Sequence, residues 1–178
     1  MTAIARDFHA DNRYSLAASE EAFWLAVYRK AFFNLASQEL CTDLTLQRQG
    51  IDRILHLSNG HTLRIDEKKR AQEYPDILLE HTSNLERNTP GWIEKDLQID
   101  YLAYGFMQSQ RCYLFPWHML QRAWRNYGAS WIAKHRRIEA TTRVGNATYQ
   151  TISVAVPTDV LRRAVSTASV IDVSQEAA

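Results

Sequence analysis

Between positions 50 and 68 apolar and polar residues alternate along two arms that flank Ser58-Asn59-Gly60. Alternation of this kind predicts paired strands. Asn and Gly accept positive φ at little cost, so the intervening residues predict a tight turn. Side chains along a strand point to opposite faces in turn. Leu63 and Ile65 therefore share one face, expected to be the core. Arg64, Asp66 and Lys68 share the other. The first arm carries Asp52. Apolar parity selects Asp66 and Lys68, rather than Glu67 and Lys69, as the pair that points out of the core together.

Upstream, Phe23, Trp24, Val27, Ala31 and Leu35 recur at helical spacing and predict a helix from Ser19 to Leu35. Ser19 is its expected N-cap, with Glu20 and Glu21 favourably placed against the positive pole of the dipole. Residues 1–18 are weakly patterned and read as an arm. Cys41 to Gln49 reads as a connector or the opening of a strand. Asp76 to Glu80 predicts a third strand, with Ile77 and Leu79 on one face and Asp76, Leu78 and Glu80 on the other. Residues 84–90 read as a mobile loop over a groove. Trp92 either packs in the core, as Trp commonly does, or stacks on a base.

Ile99 to Phe106 and Arg111 to Phe115 predict a hairpin. Pro116 suits the first turn of a helix that runs to Asn126. Gly128 punctuates, and residues 129–137 suggest a second short helix. Tyr149 to Val156 predicts a late strand, stopped by Pro157, with Thr158 capping a last helix from Asp159 to Val165. The tail from Ser166 reads as frayed. Strand pairs separated by helices predict an α/β fold, a mixed central sheet with helices on both faces. The expected core covers about residues 19–165 of a single domain.

At 178 residues the chain is long enough for one sizeable core. A formal net charge of +1 gives no whole-molecule field that draws it to nucleic acid, so any such affinity must come from local patches. Two such patches stand out, Lys68-Lys69-Arg70 and Lys134-His135-Arg136-Arg137 with Arg122 and Arg125 nearby. The alternative for both is a solvated charge run. Two distant cysteines, Cys41 and Cys112, fit reduced thiols in a cytoplasmic protein. No apolar run is long enough to span a bilayer, and the first residues lack a signal-peptide pattern. The six histidines are scattered, no Ser-His-Asp or Cys-His order presents itself, and no Gly-rich phosphate loop appears.

The candidate chemistry returns to the hairpin. Carboxylates on adjacent strands can hold a hard divalent cation through oxygen ligands. Such a cation acidifies a bound water and screens phosphate charge. A lysine beside them can orient that water or stabilise charge developing on phosphate. Asp52 followed by Asp66-Glu67-Lys68 resembles the PD-(D/E)xK, restriction-endonuclease-like, nuclease superfamily. The resemblance spans about residues 19–115. It extends to the Gly50-Ile51-Asp52, Glu67-Lys68, Gly91-Trp92-Ile93 and Asp100-Tyr101 order of small phage-associated or bacterial members. Two positions depart from the pattern: Ile51 stands where Pro is usual, and Asp66 where Glu is commoner.

The resemblance implies a three-layer αβα nuclease using Mg2+ or Mn2+. Asp52 and Asp66 would bind the metal, the backbone carbonyl of Glu67 would complete the shell, and Lys68 would position the attacking water. It also makes Glu20 or Glu21 on the first helix a candidate additional acid, although both equally suit a plain dipole-stabilising role. Glu80 is a further candidate if its strand pairs beside that of Asp66; otherwise it pairs with a basic residue. Lys69, Arg70, Lys134, Arg136 and Arg137 are the candidate nucleic-acid contacts, DNA being the expected partner and a dimer compatible with the sequence. The rivals are an inactive nucleic-acid-binding module on the same fold, and a phage-encoded inhibitor or other interaction protein.

Overall fold

The computed structural model describes residues 8–144 and 147–175. Helix α1 (Phe8–Ala31) is followed by β1 (Leu35–Leu40), α2 (Leu44–Arg48), β2 (Arg53–Leu57) and β3 (Thr62–Arg70). Next come β4 (Asp76–Asn84), β5 (Thr89–Pro90) and a 3-10 turn at Trp92–Glu94. The chain continues through β6 (Tyr101–Phe106), β7 (Arg111–Pro116), α3 (Trp117–Lys134), β8 (Arg136–Val144) and β9 (Ala147–Pro157), and closes with α4 (Thr158–Ala164) and β10 (Ser169–Asp172).

The strands form two sheets. Six run in the order β1-β2-β3-β6-β7-β10, and four in the order β5-β4-β9-β8. In the larger sheet β3 and β6 are parallel, with Asp66 opposite Leu102 and Lys68 opposite Tyr104, and the other neighbouring pairs are antiparallel. The fold is therefore α/β with a mixed sheet, as the alternation of strand pairs and helices predicts. A parallel neighbour needs a crossover. Here that crossover is made by β4, β5 and the 3-10 turn, and it supplies two of the four strands of the second sheet; β8 and β9 supply the others.

Period-two alternation divides the core across the larger sheet. On one face Phe23, Trp24, Val27 and Tyr28 of α1 pack against Leu55, Ile65, Ala103 and Leu114. On the other, Leu102, Tyr104, Phe106 and Phe115 meet Ile77 and Leu79 of β4, Val154 and Val156 of β9, and Leu120 and Trp124 of α3. Beneath that second face lies a mixture of sheet and helix.

Several expectations need correction. Residues 8–18, expected in an arm, belong to α1, so Ser19 lies inside the helix and caps nothing; residues 1–7 lie outside the described residues. The helix ends at Ala31, and Leu35 opens β1 instead. The Cys41–Gln49 connector contains α2, because the Asp43 side chain accepts from Thr45 and Leu46 N–H and caps it. The supposed loop 84–90 is a hairpin between β4 and β5. Gly128 does not break α3: it is buried, and an added Cβ would stand 2.9 Å from the Trp124 ring. Close packing, rather than termination, explains that glycine. Residues 136–137, expected at a helix end, open β8. Pro157, not Thr158, occupies the N-cap of α4. Part of the tail beyond Ser166 pairs with β7 as β10.

Candidate functional site

The turn between β2 and β3 sits at Ser58–His61, with Gly60 at φ 85°. It sets the register Arg53 opposite Ile65, Ile54 opposite Arg64 and Leu55 opposite Leu63. One step back, the Asp52 N–H donates to Ile65 O at 2.9 Å, which sets Asp52 across from Asp66. β2 has not yet begun at this level. The Asp52 carboxylate takes the place of a ladder partner, and Oδ2 accepts the Glu67 N–H at 2.8 Å. The N–H and C=O of one strand residue project to the same side, so the Glu67 carbonyl also faces the Asp52 side.

Asp66 is 2 % exposed, almost without contact with water. Lys68 Nζ donates to its Oδ1. Its Oδ2 is buried and has no hydrogen-bond partner among the described residues. Burial pushes the Asp66 carboxyl up from 3.8 to about 7; the Lys68 ammonium opposes this, and the neighbouring Asp52 carboxyl adds to it. Two neighbouring carboxyls resist ionising together. Asp66 and Lys68 share one face, as strand parity predicts, and Asp52 lies beside them; the expectation that this face points out of the core is wrong for Asp66, because β4, β9 and α3 cover that side of the sheet and bury it.

Glu67 turns the other way. Its Oε1 accepts from Arg53 Nε at 2.5 Å and from the Tyr28 hydroxyl at 2.8 Å. Arg53 is 1 % exposed and also grips Glu21 through Nη1 to Oε1 at 2.7 Å and Nη2 to Oε2 at 2.8 Å. The Arg53 hydrogen bonds lower the Glu21 carboxyl against its partial burial. Burial raises that of Glu67 against the pull of Arg53 and Tyr28. Sequence reasoning missed Arg53. The signal was present, since Arg53 shares strand parity with Leu55, and Glu67 with Ile65: opposite charges on the core face of two paired strands.

The remaining candidate acids divide. Glu21 is engaged by Arg53, and Glu20 by Lys69. Glu80 lies on β4 in the second sheet, so its strand does not pair beside β3. It nevertheless approaches from across the core: burial raises its carboxyl, a backbone hydrogen bond at Trp92 lowers it, and the Lys95 and Lys68 charges lower it further. A cleft of about 450 Å³ opens beside Asp52, bordered by Glu20, Thr42, Gln47, Glu67 and Lys69.

Of the candidate nucleic-acid contacts, Lys69 projects to the α1 side, with Glu20 as partner. Arg70 shares the face of Asp66 and Lys68. It stacks 3.5 Å from the Tyr74 ring centroid and donates to Asp76 Oδ1 at 2.9 Å. Arg136, remote in sequence, reaches Asp76 Oδ2 at 3.7 Å. The two basic segments therefore meet at Asp76. Arg137 pairs with Glu139 at 2.9 Å, and Lys134 is exposed at the end of α3. Trp92 is half-buried and tilts against Trp117.

Among the described residues no three His, Cys, Asp or Glu side chains gather into a metal cage. The side-chain oxygens on offer are those of Asp52 and Asp66. These still suit a hard cation: a buried carboxylate oxygen without a partner, a second carboxylate against it and a main-chain carbonyl facing the same side. Among the described residues no helix is long and apolar enough to cross a membrane. Comparison with protein-family models, curated proteins and solved structures finds no match for the chain.

Proposed function

We propose that the protein is a metal-dependent nuclease that hydrolyses phosphodiester bonds in DNA, of the PD-(D/E)xK type. The observation that carries this reading is the buried, unpartnered Oδ2 of Asp66, set against Asp52 and beside Lys68. A carboxylate so poorly solvated is an unfavourable element of a scaffold and a good ligand for a hard divalent cation. Asp52 and Asp66 would hold Mg2+ or Mn2+, with the Glu67 carbonyl as third protein donor. When bound, the cation supplies Lewis acidity and screens the charge of the scissile phosphate.

The residues of the chain do the rest. Lys68, one-third exposed, presents its ammonium from the Asp66 face toward solvent, where it orients the attacking water and stabilises negative charge growing on phosphate. Asp52 is fixed by the Glu67 N–H, so its carboxylate does not swing when the neighbouring charge changes. Arg136, exposed near Arg70, offers a contact for the backbone of the bound strand. The free, buried cysteines fit a reducing, cytoplasmic setting.

A second reading has one observation in its favour. Lys68 and Asp66 satisfy each other directly, which a nucleic-acid-binding module could use without a cation. Cleavage of plasmid and oligonucleotide DNA with Mg2+, Mn2+ or chelator separates the two. The nuclease reading expects metal-dependent cutting that Asp66→Asn abolishes. Salt-sensitive DNA binding without cutting under any divalent metal would give the binding module the better claim.

A further inference from the structure

We propose that Arg53 is a positioning residue for the Asp52–Asp66 pair, acting through Glu67 from the opposite face of the sheet. The inference rests on the proposed site for its purpose, but its geometry stands independently.

Arg53 directly follows Asp52, and Glu67 lies between Asp66 and Lys68. By strand alternation these two residues form the reverse side of the site. Arg53 Nε holds Glu67, its two Nη atoms hold Glu21 on α1, and its guanidinium carbon lies 5.8 Å from the centroid of the Tyr28 ring, whose hydroxyl also bonds Glu67. One buried cation thus ties α1, β2 and β3 together at the level where β2 begins. On the front side, the Glu67 N–H holds Asp52 Oδ2. Fixing the Glu67 side chain fixes its peptide, and the peptide fixes Asp52 relative to Asp66.

Stability alone is a weak reason for such an arrangement, in which Arg53 is buried, Glu67 mostly so and Glu21 nearly half exposed. Buried ion triads can often be replaced by apolar side chains with no loss of stability, because desolvation offsets the attraction. Three charged groups and a tyrosine behind an ordinary hairpin could therefore be exchanged for apolar residues were stability their only role. A planar fork that fixes three chain segments in one geometry gives the alignment an apolar cluster cannot supply. Partners that orient ligands from behind typically contribute about 10- to 100-fold in metal affinity.

The test uses the full chain and two readouts. The first is hydrogen exchange at the residue 67 amide, which reports directly on the bond to Asp52. The second is Mn2+ affinity by calorimetry. Arg53→Met combined with Glu67→Gln removes the ion pair while leaving Tyr28 an acceptor and Glu21 able to turn toward water. The expected result is exchange at residue 67 faster by about tenfold or more, with Leu102 and Leu114 amides unchanged, and Mn2+ affinity weaker by about 10- to 100-fold. Arg53→Lys, which keeps the charge but not the fork, should fall between parent and double variant, and it serves as the test if the double variant does not fold. Unchanged exchange at residue 67 in a folded variant overturns the proposal. A parent that binds no Mn2+ defeats the nuclease reading instead, and the exchange measurement still decides the role of Arg53.

Discussion

Replacing Asp66 by Asn should stabilise the metal-free protein at any pH above about 4, and fully above pH 7. In the unfolded chain the carboxyl loses its proton near 3.8, while in the fold burial holds it to about 7. Between those values the folded state binds more protons than the unfolded one, so stability falls as pH rises. The whole penalty is present above pH 7 and absent below about pH 4. At about 1.4 kcal/mol per pH unit the gap corresponds to about 4 kcal/mol. Relaxation around a charged Asp66 reduces this, so about 2 to 4 kcal/mol is expected at pH 8. Asn carries no charge at any pH and its amide can donate to Asp52, so it stands in for the protonated acid. Urea unfolding with chelator present, from pH 4 to 8.5, gives the comparison. Parent and variant should coincide near pH 4, diverge as pH rises from about 4 to 7, and keep a constant gap above that. Adding Mn2+ at about 100 times its dissociation constant should return about 2.7 kcal/mol to the parent and little to the variant. A variant no more stable than the parent at pH 8, or a gap independent of pH, would refute the account of Asp66 as a strained acid.

Other outcomes follow from particular contacts. Lys68→Ala should retain the fold yet lower DNA cleavage about 100- to 1000-fold, the usual effect of removing one contact to developing charge; single-turnover cleavage assays measure it. Arg136→Ala should reduce the slope of log affinity against log salt by about one if Arg136 meets a phosphate, whereas an unchanged slope places the DNA elsewhere. Gly91→Ala should destabilise the protein by about 3 kcal/mol or more. Its Cβ would stand 2.2 Å from the Glu80 carbonyl oxygen, a backbone atom that cannot step aside; thermal or urea melting reads the effect.

The hairpin was the most legible part of the chain, because turn chemistry and period-two alternation both act locally. Parity selects Asp66 and Lys68, Asp52 is the one carboxylate of the first arm, and their neighbourhood in the fold needs only the register that the turn imposes. The second sheet was legible only in part: β4 and β9 were expected as strands, but not that they pair with each other, and β5 and β8 were not. β8 begins within a run of Arg and Lys whose composition resembles a helix end, and only pairing with β9 makes it a strand. β10 is a short, half-polar segment that gains its structure from β7. Gly128 misled because its role is defined by the Trp124 ring, one helical turn away in sequence but packed upon it. Arg53 was overlooked for a different reason: a charge at a core position is meaningful only once its partner is known.

The crossover through β4 bears on the order in which the molecule folds. The β2–β3 hairpin closes over a tight turn, an event of microseconds. It can align Asp52 with Asp66 while both are still hydrated. β4, by contrast, has only the short β5 as a local partner, and finds its long one when Asp76 meets Pro157, far along the chain. Contacts of such separation form late and set the pace. Dehydration of Asp66 therefore belongs to the last stage of assembly, after the strands that carry it are already in place. A divalent cation captured by the open hairpin would then hasten closure rather than merely reward it, and refolding rates should rise with metal more than unfolding rates fall.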